Sequence, residues 1–473
     1  MIFNMIFGRG GYSIDSYAIV RSNYQGHVEA FLGAYRFFGA GLFKFFRLFG
    51  YDPISNAMPS VVAYIFILAA SITWLVLRFQ KAFPGKSILS VELAVLVVST
   101  NCWYCDILSF PECILITAIG SALTFFAVGL IADDEKQGIL NYVFSAIFLI
   151  LATGIYQQFL SLFAVYAIAI CCARVWRSEK HSIKDFFLIF FRPALLWTLS
   201  AVSYFATAKV ICNISGIQPN PRIAHGLPDI FQNALHILRN VHSYVKGRGF
   251  FTSEVLTVCF LIAIALFAAA LIHEVIKNRN YACAGVVAVS AVVATLLSLL
   301  PAFLSCTSGT RAMFAVFAMY GFVALVIPQK VKVYSSMMTA VLAFVILLNI
   351  GKTIECEMNL KKINTADELW AKQVVAEIAA YETRSNTEIK VVFVADDGEW
   401  DSIAASCAYT QSARYVDYAR TPLILLWSGD HDYAVENMPK NEYDKFFAGK
   451  NWDVYLPAEQ IVFQGDTAYI CCY

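Results

Sequence analysis

Long apolar runs broken by short polar punctuation fill most of this chain. A helix rising 1.5 Å per residue needs about 20 apolar residues to cross roughly 30 Å of hydrocarbon. Runs near that length predict ten spans, at 60–79, 87–101, 109–131, 139–156, 158–175, 186–210, 253–275, 281–303, 311–328 and 333–351. The second and fourth are short, and only "GIYQQ" separates the fourth from the fifth. After Gly351 the pattern turns mixed and charged. "TADELWAKQVVAEIAAYE" opens on a capping-type threonine, carries acids in its first turn and sets Leu369, Val374, Val375 and Ile378 at helical spacing, so a helix capped at Thr365 is expected. "EIKVVFVADD" reads as a buried strand, and "EQIVFQGDTAYICCY" as two strands about a Gly-Asp turn. The chain thus divides into a loop with an interfacial helix (1–59), a transmembrane helical domain (60–351) and a small α/β domain (352–473).

Composition agrees with the pattern. The 473 residues are 59% hydrophobic and 15% charged, whereas a soluble domain carries about 25% charged residues. The fold class is an α-helical polytopic membrane protein with a small C-terminal α/β domain, so the lipid bilayer is a partner. A net charge of +1 gives no footprint for nucleic acid. The 13 cysteines lack paired CxxC spacing and read as small apolar fillers. Cys102 and Cys105 form a lone CxxC, for which a local disulfide and plain packing both stand.

Charge orients the spans. Arg78, Lys81 and Lys86, then Lys136, then Arg174, Arg177, Lys180 and Lys184, then Lys277 and Arg279, then Lys330 and Lys332 occupy one set of loops. The positive-inside rule makes those loops cytoplasmic and puts residues 12–59 and everything after Lys352 on the other side. The tail before the first span carries five basic residues of its own, and "MIFNMIF" covers only about 10 Å at helical rise. A further span upstream of this chain is therefore expected.

Within that tail, "EAFLGAYRFFGAGLFKFFRLFG" (29–50) spreads aromatic and aliphatic residues around most of a helix and gathers Arg36, Lys44 and Arg47 on a narrow stripe. Such a helix lies in the interface with its cations at phosphate level, or simply packs at the membrane surface. Before it comes "GYSIDSYAIV", with Asp15 in a Tyr/Ser-rich turn.

Four stretches together resemble one family. "GYSIDSYAIV…YRFFGAGLFKFFRLFGY", "CDILSFPECILITAIGSAL", "TGIYQQFLSLFAVYAIAIC" and "NTADELWAKQVVAEIAAYE…WDVYLPAEQIVFQGDTAYI" occur in the order and spacing of the Gtr-type serotype-converting O-antigen glucosyltransferases, integral membrane enzymes of GT-C-like architecture. The resemblance runs from about Gly11 to the C-terminus. It departs where the family shows paired aspartates, since here the pair is Asp15-Ser16. The resemblance implies transfer of a hexose, typically glucose, from a polyprenyl-phosphate donor to a surface glycan, with the active site facing the periplasm or exterior from the inner (plasma) membrane.

That chemistry needs a base for the acceptor proton and cations for the departing phosphate. Asp15 and Asp106 are the catalytic candidates, and Arg21, Arg36, Lys44 and Arg311 the donor-phosphate candidates. Glu112, Tyr12 and Tyr104 are candidates for holding or orienting the acceptor. Each has a plainer counterpart: a solvated surface acid for Asp15, a helix N-cap for Asp106, a helix-dipole partner for Glu112 and an interfacial snorkelling cation for Arg311. The long 211–252 loop, with Arg222, His236, Arg239, His242 and Tyr244, is a candidate glycan surface. Glu92 lies within a span and within reach of its end. Asp133-Asp134 and Asp396-Asp397 read as a solvated loop and a turn. No HExxH is present, so no metal site and no cofactor is assigned, while a divalent ion stays compatible with the chemistry. A glycan polymerase or another GT-C transferase would use the same outward site. A lipid-sugar flippase should instead show internal repeats and mid-membrane ionisable groups, and neither stands out.

Overall fold

The structure, a computed structural model, describes all residues except 1–12, 14, 18–23, 54, 133–137, 179–182, 222, 225, 241–252, 305–309, 329–330, 397–411, 430, 432, 451, 453–454 and 473. Contacts divide it into two compact units. One runs from His27 to Thr353; the other holds Ile354 to the C-terminus with the described residues before His27.

The first unit is a helical bundle. Its elements in chain order are α1 (Gln25–Gly33), α2 (Phe37–Leu48), α3 (Ala57–Ala82), α4 (Ile88–Ser99), α5 (Cys102–Asp106), α6 (Pro111–Ala132), α7 (Ile139–Thr153), α8 (Gln158–Arg177), α9 (Ile183–Ser215), α10 (Leu227–Arg239), α11 (Glu254–Asn278), α12 (Tyr281–Ser298), α13 (Leu300–Leu304), a 3-10 helix at Thr310–Phe317, α14 (Ala318–Val326) and the first part of α15 (Lys332–Ser385). Among the described residues seven helices are long and apolar enough to cross a membrane, namely α3, α6, α8, α9, α11, α12 and α15. Shorter apolar helices stand at Ile88–Ser99, Ile139–Thr153 and Met313–Val326, where the remaining three spans were expected. The helices approach closely where glycine permits it. A Cβ on Gly321 would lie 2.2 Å from the Ala94 carbonyl oxygen, so α14 meets α4 backbone to backbone.

Hydrogen bonds sort the helix ends into two groups. At one end, Lys86 Nζ donates to Ala324 O at 2.7 Å, Arg174 Nη2 to Ile131 O at 2.7 Å and Trp176 Nε1 to Val326 O at 2.9 Å. All three acceptors lie in last turns, whose carbonyls have no partner within the helix and carry partial negative charge. Burial pulls the Lys86 amine down to about 7. At the opposite end, Ala224 N donates to Leu304 O, Asn220 N to Gly33 O and Asn233 Nδ2 to Phe303 O.

Three expectations change. Residues 29–50 are two helices, α1 and α2, broken at 34–36 where Tyr35 turns left-handed at φ 61°. The expected 311–328 span divides into the 3-10 helix and α14. The helix expected to start at a Thr365 cap is instead the continuation of the 54-residue α15, and the Thr365 hydroxyl donates back to Lys361 O at 2.8 Å. A threonine can bond its own helix this way, so a capping signal inside a strong helical run need not end it.

The second unit is a small α/β domain. Its sheet has the order β2-β1-β4-β3, from β1 (Val391–Asp396), β2 (Ala434–Asn437), β3 (Ile461–Gln464) and β4 (Thr467–Cys472). β1 runs parallel to both neighbours, and β3 and β4 form the expected hairpin about Gly465 at φ 60°. Central strands with cover on both faces read as near-continuous apolar runs, as "VVFVA" does. Val392 and Val394 face Trp370, Val374 and Ile378 of α15, and Phe393 faces a second cluster of Phe447, Trp452 and Tyr469. Asp367 of α15 is fully buried and accepts from the Ser412 hydroxyl, from Ala413 N at 2.7 Å and from Arg414 Nε at 2.9 Å. Burial pushes its carboxyl up, against those hydrogen bonds and the Arg414 charge.

Candidate functional site

The end of the bundle opposite Lys86 and Arg174 carries most of the candidate residues that can be described. Arg36 sits at the break between α1 and α2. Its guanidinium carbon lies 4.5 Å from the ring centroid of Tyr156 and 5.9 Å from that of Phe31. A cation over a ring face gains about 0.5–2 kcal/mol, the more so when desolvated. Among the described residues no carboxylate pairs with Arg36, and its buried Nε has no hydrogen-bond partner.

The Tyr156 ring stacks on Phe314 at 6.1 Å and 15°, and Phe314 meets Phe159 at 5.8 Å and Tyr104 edge-on at 5.2 Å. A row of rings therefore runs from Arg36 to the 3-10 helix. Arg311 lies in the first turn of that helix, and its side chain is outside the described residues. Tyr104 is buried, with its hydroxyl hydrogen-bonded to Ser121, whose own hydroxyl donates to Thr117 O at 2.8 Å. Asp106 closes α5 without a side-chain capping bond, and its carbonyl accepts from the Ser109 hydroxyl at 2.7 Å. Glu112 is buried directly behind Pro111 at the start of α6, where an acid suits the helix dipole. Burial raises the Tyr51 phenol, opposed by its bond to Ser60 and reinforced by Cys113, Glu112 and Asp52.

His27 is buried between Phe31 and Phe43 at ring distances of 4.1 and 4.7 Å. Burial, and then the Arg36 charge, pull its imidazole down to about 3. Of these two causes only the Arg36 charge, the lesser, would also favour an anion nearby.

Lys44 is exposed on α2, and Arg47 is taken up by Tyr51 O at 3.4 Å and Asp52 at 3.8 Å. Asp15 belongs to the second unit, in a single helical turn where Tyr17 packs on that unit's core. Tyr12, Arg21, Arg222, His242, Tyr244, Asp133 and Asp134 lie outside the described residues. In the 211–252 stretch the structure describes α10, with His236 and Arg239 exposed near its C-terminal end. Cys102 is buried.

Reading single residues for chemistry overlooked Tyr156, Gln157, Tyr204 and Phe314. The first two stand in "TGIYQQ", a stretch that carried part of the family resemblance without any chemical role attached. Phe314 and Tyr204 gave no signal beyond being aromatic residues in apolar runs.

Membrane-length helices define a class, the multi-helix membrane protein, and one end of its bundle carries a half-buried guanidinium with which no carboxylate pairs among the described residues. The family model of glucosyl transferase GtrII matches residues 5–328, more than half of the 473 residues, and the chain belongs to that family of glucosyltransferases. No curated protein and no solved structure matches it.

Proposed function

We propose that the protein transfers a glucosyl group from polyprenyl-phosphate glucose to a hydroxyl of a surface glycan such as O-antigen, at the non-cytoplasmic face of the inner membrane. The acceptor oxygen forms a bond to C1 of the sugar, and the C1–O bond to phosphate breaks with its electron pair leaving on the phosphate. Asp15 takes the acceptor proton, Asp106 orients the acceptor, and Arg36 holds the phosphate with Arg21, Lys44 and Arg311. Family membership supports glucosyl transfer. The one observation that supports the lipid-phosphate donor is Arg36, a guanidinium framed by Tyr156 and Phe31 with which no acid pairs among the described residues, because a guanidinium matches phosphate oxygens bidentately. The cation-rich loops of the opposite end support an outward site.

The test is purified protein in liposomes given labelled polyprenyl-phosphate glucose and candidate glycans. One glucose added per acceptor unit is expected, with Asp15→Asn lowering turnover by about 10²- to 10⁴-fold in folded protein. Transfer from a nucleotide sugar but not from the lipid donor would overturn the assignment. Full activity in Asp15→Asn would move the base to Asp106 or Glu112.

A further inference from the structure

The segment that presents Arg36 runs against its own sequence. Residues 29–50 have the apolar periodicity of one continuous helix, yet the chain breaks at Ala34–Arg36 and places Tyr35 in the left-handed region, at φ 61°. An aromatic residue adopts that conformation only where its surroundings impose it. The imposing contacts come from the corner between α7 and α8 and from α9. Gln157 Nε2 donates to Ala34 O at 2.6 Å and to the Tyr204 hydroxyl oxygen at 2.9 Å, and the Tyr204 hydroxyl donates to Tyr35 O at 3.0 Å. Both amide hydrogens and the phenolic hydrogen are thus used, two of the three on the carbonyls immediately before Arg36. Gly154 O, at the end of α7, accepts from Phe38 N at 2.9 Å and Gly39 N at 3.1 Å and so takes the place of a side-chain cap on α2. A Cβ on Gly154 would lie 2.9 Å from the Phe37 ring, which stacks on Tyr204 at 6.0 Å.

We propose that Gln157 and Tyr204 are positioning residues for Arg36. They hold residues 34–36 in the conformation that lays the guanidinium on Tyr156 and turns it toward an incoming phosphate. The proposal rests on the reading of Arg36 as a donor-phosphate ligand. Without the two side chains the carbonyls of Ala34 and Tyr35 lose their partners. Tyr35 is then released toward right-handed backbone, the direction in which the local sequence already pulls.

Gln157→Leu and Tyr204→Phe keep the bulk and remove the hydrogen bonds. In the full chain in liposomes each should weaken binding of polyprenyl phosphate and raise KM for polyprenyl-phosphate glucose about tenfold, the scale of one or two hydrogen bonds, with a smaller change in kcat. In an Arg36→Ala background neither should weaken binding further. Equal losses with and without Arg36 would overturn positioning in favour of a merely structural role. A second arm is independent of phosphate: spin labels at exposed positions 30 and 48, with the native cysteines replaced, report the angle between α1 and α2. A single distance in the parent and a shifted or broadened one in both variants is expected, and an unchanged distance in both overturns the proposal. If Arg36→Ala alone leaves polyprenyl-phosphate binding intact, the phosphate reading of Arg36 fails while the distance measurement still decides whether Gln157 and Tyr204 hold the segment.

Discussion

Cations at the two ends of the bundle are used differently. Lys86 and Arg174 reach the carbonyls of Ala324 and Ile131 at 2.7 Å each, in last turns of helices that need such donors. Arg36, at the other end, lies against rings, and among the described residues no carboxylate pairs with it and nothing bonds its Nε. The first two are spent on the fold and serve stability. The third, half-buried, is held in place by groups that leave its charge available. Side-chain type and net charge do not separate the two cases; what the guanidinium or ammonium touches does.

The largest expected effect breaks this contrast from the Arg36 side. Arg36→Ala should lower glucosyl transfer about 10²- to 10³-fold, as loss of a preorganised charge stabiliser does, with the bundle still folded. Arg36→Lys should recover only part of it, because the ammonium has no bidentate fork. Transfer assays alongside thermal unfolding in detergent separate the two quantities. Undiminished activity in Arg36→Ala would leave the ends alike.

A smaller effect is expected at the other end. Lys86→Met should cost at most about 1–3 kcal/mol of bundle stability by leaving the Ala324 carbonyl without its donor, while leaving KM for the lipid donor unchanged. The amine's folded value of about 7 is below its ordinary 10.5, so the folded state binds fewer protons between those pH values. Stability should accordingly rise with pH across that window in the parent, and the rise should flatten in Lys86→Met. Unfolding midpoints measured from pH 7 to 10 check the sign.

The smallest effect sharpens the comparison through His27. Its folded value of about 3 against an ordinary 6.5 contributes stability that is present above pH 6.5 and is lost as pH falls toward 3. Arg36→Ala removes the lesser of the two causes of that depression, so the imidazole should titrate somewhat higher, still well below 6.5. Histidine-selective NMR in detergent reads it, and a titration unmoved by Arg36→Ala would mean that the guanidinium does not act on His27.

How much was legible depended on how local the cause was. The spans followed from apolar length, and the Gly465 hairpin and the "VVFVA" strand from patterns complete within ten residues. The break at Tyr35 could not be read, since its causes lie at Gly154, Gln157 and Tyr204, more than 100 residues away. Arg47 looked equivalent to Arg36 on a helical wheel; Asp52 and Tyr51 O occupy one and aromatic rings the other. Asp367 stood in an acidic turn that read as helix-start chemistry, and its burial against Ser412 and Arg414 depends on a fold that returns the chain 45 residues later.

The sequence by itself determined that this chain makes membrane-length helices followed by a small α/β domain, and that cations crowd the loops of one end. Hydrocarbon and water sort residues by polarity along a segment, whatever the rest of the chain does. Only the tertiary structure decided that Lys86 and Arg174 bond helix-end carbonyls while Arg36 lies against rings, and that the "TGIYQQ" corner holds the segment bearing Arg36. Hydrogen bonds and ring contacts act over a few ångströms in space, and which residues come that close is set by how the helices pack.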